Sequence, residues 1–182
     1  MTPQEFIIDL YYDVPELVYF GLLLTACIGM IIILSFKGIK RGWRIIGALL
    51  LLCYTFLLYS TTLFFRKYID IQKCNFTPFW SYEAIDNGRT DLIAENAMNV
   101  VVFIPFGLML GCCSSRITWR KVLLIGVSIS ASIEILQFFL HRGFAEIDDM
   151  IHNTLGSMIG YGIYAVARYG YERISKRSVG VL

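Results

Sequence analysis

The sequence predicts an all-α, polytopic membrane protein, built as a bundle of about five transmembrane helices. Of the 182 residues, 57% are hydrophobic and only 16% are charged, whereas soluble domains carry about 25% charged residues. Long apolar runs recur along the whole chain, and the segments between them hold most of the charges. We therefore expect one integral membrane domain and no separate soluble domain.

Five apolar segments approach or exceed the length of about 20 residues that a helix needs to cross a bilayer. They are Leu17–Phe36, Ile45–Phe65, Ala97–Cys113, Val122–Leu140 and Ile151–Ala167. The first two contain no charged residue, the third contains Pro105, and the fourth contains Glu134 and Gln137. The fifth is rich in glycine. Charged or turn-forming residues bound each segment, so we interpret all five as spans.

The distribution of Lys and Arg indicates the orientation, because these residues concentrate in cytoplasmic loops. Eleven of the 16 lie after the first span, after the third span and in the C-terminal tail, and 12 of the 14 acidic residues lie on the opposite side. We therefore predict an outside N-terminus and a cytoplasmic C-terminus. The first span follows acidic residues rather than basic ones, which argues against a cleaved signal peptide.

This topology divides the chain into four parts. Residues 1–16 form an acidic extracytoplasmic leader, and residues 17–65 form two N-terminal transmembrane helices. Residues 66–168 form a core with a long outer loop and three transmembrane helices, and residues 169–182 form a basic cytoplasmic tail.

Polar residues gather where the fourth and fifth spans meet the outer surface. Ser130, Glu134, Gln137 and His141 are spaced by four, three and four residues, so they share one face of a helix. A charge at the bilayer centre costs about 2.5–3.5 kcal/mol, so a glutamate within a span usually faces the bundle or a wet cavity. We expect Glu134 to do so.

The fifth span shows the same spacing at Asp149, Asn153, Gly156 and Gly160. Because a short link makes spans four and five antiparallel neighbours, Asp149 and Asn153 should lie at depths similar to those of Glu134 and Gln137. The two glycines form a small-xxx-small pair that permits close helix packing.

Three interpretations of this cluster stay open. Asp148 or Asp149 can cap a helix, Arg142 can pair with a carboxylate in a structural network, or the whole cluster can be a pocket open to the outside. At the outer end of the third span, Asn99 adds a polar group. Pro105 deprives the Val101 carbonyl of its helical partner, and the resulting kink either widens the outer half of the bundle or serves packing alone.

Several kinds of site are not expected. Asp148, His152 and Glu134 have spacing that suits a metal, but the chain has only two histidines, so we predict neither a metal nor another cofactor. The sequence has no G-x-S-x-G, Walker or dinucleotide-binding glycine pattern. The five cysteines show no disulfide framework. The basic residues mark inner loops, so we expect no nucleic-acid partner.

Four motifs resemble the VanZ-like family: "NFTPF" (75–79), "NVVVFIPFG" (99–107), "EILQF" (134–138) and "IDDMIHNTLGSMIG" (147–160). Together they make residues 66–168 a VanZ-like core. The family is named for a membrane protein that confers low-level resistance to teicoplanin, a glycopeptide antibiotic with a lipid tail. The resemblance implies a multi-pass protein of the bacterial cytoplasmic membrane that contributes to such resistance. The polar residues that match the family motifs are Asn75, Asn99, Glu134, Gln137, Asp149 and Asn153.

The residues and the resemblance together predict an outward-facing pocket that binds the head group of a membrane lipid, a cell-wall lipid precursor or a lipid-tailed antibiotic. The expected binding residues are those six together with Arg66, Arg142 and Asp148. The alternative is a membrane enzyme that modifies an envelope lipid, with Glu134 and Asp149 as acid and base, although we favour a binding protein. A transporter is a weaker hypothesis, because polar residues at one end do not form a path across the membrane.

Overall fold

The computed structural model describes residues 41–64, 66, 68–114 and 116–179. The chain is mostly helical over these residues. The predicted leader, 1–16, and the first predicted span, Leu17–Phe36, lie outside the described residues. The order of elements is helix α1 (Arg41–Tyr59), a π-helical turn (Ser60–Phe64), strand β1 (Cys74–Asn75), helices α2 (Trp80–Asp86), α3 (Asp91–Cys113) and α4 (Trp119–Phe139), strand β2 (Ala145–Glu146) and helix α5 (Ile147–Val179).

Three segments in the described part of the chain are helical, long enough and apolar enough to cross a membrane: Ile45–Leu63, Asp91–Cys113 and Trp119–Phe139. They coincide with the second, third and fourth predicted spans. The third starts six residues earlier than predicted, since Asp91 and Glu95 belong to the helix. The fifth predicted span lies wholly within α5, whose 33 residues are long enough but are not among the three apolar segments. That span and the orientation stay predictions.

Apolar side chains on the outside of the bundle fit a lipid environment. Leu52 on α1, Leu124 and Phe139 on α4 and Val166 on α5 are each at least two-thirds exposed. Large exposed apolar surfaces of this kind are rare on soluble monomers. The core between the helices contains Leu58, Phe103, Phe106, Met109, Val122 and Ile133. The interior is thus formed mainly by α1, α3 and α4, with α5 packed against α3.

The packing of α3 against α5 depends on glycine. A Cβ added to Gly160 would lie 1.9 Å from the Ile104 carbonyl oxygen, and one added to Gly156 would lie 2.1 Å from the Val100 carbonyl oxygen. On the other side of the interface, a Cβ on Gly107 would lie 1.8 Å from the Ser157 carbonyl oxygen. The obstacle is backbone in each case, so relief requires the helices to separate. The predicted small-xxx-small pair therefore packs against α3, with a further glycine on α3 itself.

We predict that Gly160→Ala destabilises the protein, whereas Gly162→Ala does not. Overpacking of this kind typically costs about 1–3 kcal/mol. Gly162 has no atom within 4 Å of an added Cβ, so it provides a matched control two residues away on the same helix. The measurement is the thermal midpoint of each purified variant in detergent. Equal midpoints for the two variants would contradict close α3–α5 packing.

Candidate functional site

A sharp turn ends α4 and determines how the chain enters the site. The amide of Arg142 donates to the Gln137 carbonyl (2.8 Å) and the amide of His141 donates to the Phe138 carbonyl (3.2 Å), which is the Schellman pattern. His141 occupies the left-handed position with φ 56°, where glycine is usual. Its ring stacks on Tyr68 and its backbone carbonyl accepts from the Ile69 amide, so contacts with the outer loop stabilise this conformation.

Beyond this turn, the chain forms a short parallel pair of strands that the sequence did not predict. Cys74 pairs with Ala145 and Asn75 pairs with Glu146. The Glu146 amide also donates to Oε2 of Glu134, 3.1 Å away. A buried carboxylate on α4 therefore has a backbone partner in β2. The strand pair attaches the long outer loop directly above the polar ends of α4 and α5.

Asp148 holds the short helix α2 against α5. Its carboxylate accepts from the amides of Phe79 (2.5 Å) and Ser81 (2.9 Å) and from the Ser81 hydroxyl (2.6 Å). Asn96 on α3 in turn donates to the Ser81 hydroxyl oxygen. Capping was expected for one of the paired aspartates, and the helix that Asp148 caps is α2 rather than its own helix α5. A buried carboxylate with three donors is well compensated, so its role here is structural.

Two adjoining chambers lie beneath the outer loop. The outer chamber has a volume of about 670 Å³ and the inner one about 310 Å³, which is within the usual range for ligand sites. Residues of the outer chamber include Arg66, Lys73, Cys74, Asn75, Trp80, Arg89, Glu95, Gly143, Phe144, Glu146 and Asp149. Residues of the inner chamber include Thr61, Thr62, Arg66, Glu95, Met98, Asn99, Phe103, Glu134, Gln137, Asp149 and Asn153. Arg66, Glu95 and Asp149 line both and mark the boundary.

The inner chamber is rich in hydrogen-bond acceptors. Glu134, Gln137 and Asp149 are 4%, 1% and 8% exposed. Asp149 accepts from the Asn99 amide nitrogen at 2.7 Å, and its place in the first turn of α5 lets the helix dipole stabilise its charge. Gln137 donates to the Thr62 carbonyl at 3.2 Å, but its Oε1 has no partner in the described part of the chain. A buried acceptor without a donor is costly.

The outer chamber is richer in donors. Arg66, Lys73 and Arg89 bring three cations to its lining. The indole Nε1 of Trp80 is buried and has no hydrogen-bond partner within the described residues. Arg89 also pairs with Asp91 at 2.7 Å, on the exposed surface. The outer lining also contains the carboxyl groups of Glu95, Glu146 and Asp149. Among the described residues, the two chambers therefore differ in their cations, with three in the outer lining and one, Arg66, in the inner lining.

Arg142 is not one of the residues that line the two chambers. Its Nη1 donates to the backbone carbonyl of Arg66 at 2.6 Å. Arg66 itself reaches the boundary, where its Nη1 lies 3.0 Å from the position that a Cβ on Gly143 would occupy, and Gln137 Oε1 lies 3.3 Å from the same position. Arg142 thus supports the segment that presents Arg66, and Gly143 leaves room for both groups.

Seven of the nine predicted binding residues line a chamber: Arg66, Asn75, Asn99, Glu134, Gln137, Asp149 and Asn153. Asp148 and Arg142 instead support the elements around them. Four further residues line the chambers and were not predicted from the sequence as binding residues: Glu95, Glu146, Lys73 and Arg89. Glu95 could have been found, because it precedes Asn99 by four residues on the same helix. The other three come together only through the strand pair and the folding of the outer loop.

Burial, and after it the nearby carboxylates of Asp149, Glu95 and Asp148, raise the pKa of Glu146 from its ordinary value of 4.5 to about 7. Arg66 acts in the opposite direction. The side chain lies outside the membrane-spanning segments and lines the outer chamber. A carboxyl group that titrates near neutral pH can donate or accept a proton under physiological conditions.

The residues considered for a metal are used otherwise. Asp148 caps α2, and Nε2 of His152 lies 2.9 Å from the Tyr82 hydroxyl. Within residues 41–64, 66, 68–114 and 116–179, no three His, Cys, Asp or Glu side chains are grouped so that they could hold a metal ion.

Comparisons with known proteins agree with the motifs. The VanZ/LLP1 family pattern matches residues 44–168, more than half of the chain. The chain belongs to the VanZ/LLP1 family. It is also 33% identical over 96 residues to Protein VanZ of Enterococcus faecium. That match covers 53% of this chain and 55% of the relative, so the chain spans about half the length of the curated relative that it matches. No solved structure matches significantly.

Both chambers are formed by residues within the range that matches the VanZ/LLP1 family. Every chamber residue named above lies between residues 44 and 168. The family assignment therefore applies to the part of the molecule that holds the site, as well as to helices α1, α3 and α4 that support it.

We predict that protonation of Glu146 stabilises the fold. Its folded pKa of about 7 lies above the ordinary value of 4.5, so the folded state binds the proton more tightly than the unfolded state. This contribution is fully present below about pH 4.5 and is lost as the pH rises through about 7. The measurement is the thermal midpoint of the wild-type protein minus that of Glu146→Gln. This difference should decrease as the pH rises from about 4.5 to about 7. A difference that is flat or rises with pH would contradict the assignment.

Proposed function

We propose that this VanZ/LLP1 protein lies in the bacterial cytoplasmic membrane with its two chambers facing outward, and that they bind the polar head group of an envelope lipid or of a lipid-tailed antibiotic. The observation that carries the proposal is a pair of chambers that share Arg66, Glu95 and Asp149 in their linings and that contain buried, incompletely partnered polar groups. A purely structural network would satisfy those groups internally. Here Gln137 Oε1 has no partner among the residues that the structure describes.

The position of the chambers suits a lipid. They lie at the ends of apolar helices, next to a surface that exposes residues such as Met98 on α3. A head group is then bound by polar residues while its acyl chains stay in the bilayer beside the bundle. A charge-assisted hydrogen bond from Arg66 to an anionic oxygen is stronger than a neutral one, and no ion pair within the described residues occupies the Arg66 guanidinium.

The relative named Protein VanZ supports a contribution to glycopeptide resistance, in line with the resistance to teicoplanin for which the family is named. In this proposal, binding at the chambers keeps the lipid-tailed antibiotic, or the envelope lipid that it needs, from forming the inhibitory complex. The site residues are Arg66, Asn99, Glu134, Gln137, Asp149 and Asn153, with Asn75 in the outer wall.

A second candidate function is a membrane enzyme that modifies an envelope lipid. The grouping of Glu134, Glu146 and Asp149 favours it, because neighbouring carboxylates in one cleft can divide the roles of acid and base. In the enzyme, Glu134 or Asp149 exchanges a proton with the substrate, and Glu146, with its pKa near 7, relays protons to the outside.

We predict that Glu134→Gln, Asp149→Asn and Arg66→Gln each reduce protection against teicoplanin to the level of a strain that lacks the protein. Glu134→Gln and Asp149→Asn preserve the shape of the side chain, Arg66→Gln shortens it, and each change removes an ionisable group from the chamber lining. Glu83→Gln is the matched control, since Glu83 is exposed on α2 and is absent from both linings. The measurement is the minimal inhibitory concentration at equal protein levels.

Full protection by all three variants would contradict the pocket proposal, and a wild-type protein that gives no protection would contradict the resistance role. Mass spectrometry of envelope lipids from the same strains separates the two functions. A lipid species that depends on the wild-type protein and disappears with Glu134→Gln would identify the enzyme.

A further inference from the structure

We infer that the chambers recognise a zwitterionic aminophospholipid, with its phosphate in the outer chamber and its protonated amine in the inner chamber. This inference rests on the proposed function, since it names the class of head group that the same site binds. It depends on the distribution of cations between the two linings, with three in the outer chamber and one in the inner chamber among the described residues.

The outer chamber fits a phosphate group. Its lining contains the side chains of Arg66, Lys73 and Arg89 beside those of Glu95, Glu146 and Asp149. Trp80 Nε1, which has no partner within the described residues, adds a neutral donor. Arginine and lysine are the usual partners of phosphate oxygens, and arginine can donate two parallel hydrogen bonds. Arg66 lies at the boundary with the inner chamber, so a phosphate bound there would have its ester substituent directed inward.

The inner chamber fits an ammonium group. Its lining contains the carboxylates of Glu95, Glu134 and Asp149 against the single guanidinium of Arg66. Glu134 and Asp149 are buried, whereas Glu95 is exposed. Within the described residues, the hydrogen-bond donors to the two buried carboxylates are the Glu146 amide for Glu134 and the Asn99 amide nitrogen for Asp149. Buried carboxylates require compensation by donors or cations, and a ligand ammonium group supplies both charge and three N–H donors.

Gln137 provides an independent indication that a donor belongs in this chamber. It is 1% exposed, it lines the inner chamber, and Oε1 has no partner within the described residues. Oε1 faces the Gly143 side, where Arg66 Nη1 also lies. An ammonium group in the inner chamber would share that chamber with Oε1 and with the Glu134 and Asp149 carboxylates. Arg66 lines the same chamber, so a phosphate bound to Arg66 would be one short linker away.

The test compares lipids with the same acyl chains and different head groups, added to the purified full-length protein in detergent. The series is phosphatidylethanolamine, its N-methyl and N,N-dimethyl derivatives, phosphatidylcholine, phosphatidylglycerol and phosphatidic acid. Bound lipid is quantified by native mass spectrometry. Methylation removes N–H donors one at a time while the positive charge stays, whereas phosphatidylglycerol offers hydroxyl donors without a cation.

We predict that phosphatidylethanolamine binds about tenfold more tightly than phosphatidylcholine or phosphatidic acid, because only its ammonium group can donate charge-assisted N–H hydrogen bonds to the inner carboxylates. The N-methyl series should weaken stepwise. A variant carrying both Glu134→Gln and Asp149→Asn should lose this preference while it still binds phosphatidic acid, and Arg66→Gln should weaken every phospholipid. Glu83→Gln should behave as the wild type.

The outcomes separate the inference from the proposed function. If phosphatidic acid or phosphatidylcholine binds as tightly as phosphatidylethanolamine, and Arg66→Gln still weakens binding, the amine specificity is wrong and the head-group pocket stands. If phosphatidylglycerol is preferred, the donors are hydroxyl groups and the ammonium assignment is wrong. If no lipid in the series binds the wild-type protein better than it binds Arg66→Gln, both the inference and the head-group pocket are wrong.

Discussion

The close approach of α3 and α5 is the constraint on which the rest of the structure depends. Carbonyl groups of one helix lie where side chains would otherwise stand on the other, at Gly107, Gly156 and Gly160. In a membrane, such contacts must supply much of the association energy, because lipid tails solvate apolar side chains as well as a protein interior does. The contact fixes the depth of α5 relative to α3. It therefore places Asp149 beside Asn99 at the outer end.

Segments outside the long helices then supply some of the hydrogen-bond donors that the polar groups at that end require. The turn at His141 returns the chain towards α5, and the β1–β2 pair brings the Glu146 amide to Glu134. The Asp148 carboxylate accepts hydrogen bonds from the start of α2 and so holds this helix above the site. These contacts compensate the buried carboxylates only in part, and the acceptors that remain are concentrated in the inner chamber. A binding site and a packed helix pair thus arise from the same constraint.

The long apolar helices and their polar faces could be predicted from sequence because both depend on local spacing. Helical periodicity is sufficient to place Glu134 and Gln137 on one face, and a four-residue step relates Asp149 to Asn153. By contrast, contacts between segments distant in sequence could not be predicted. The pairing of Cys74 with Ala145, the capping of α2 by Asp148 and the contact of Arg142 with the Arg66 carbonyl all depend on tertiary geometry. Arg142 looked like a ligand-binding cation for this reason.

The central claim is that the chambers face outward, and Cys74 tests it most directly. This thiol is free and exposed and lines the outer chamber. In intact cells that express the protein, a membrane-impermeant maleimide should modify the wild type but not Cys74→Ser, and the extent should not increase after the membrane is permeabilised. Modification of Cys74 only after permeabilisation would place the chambers on the cytoplasmic side and contradict the account.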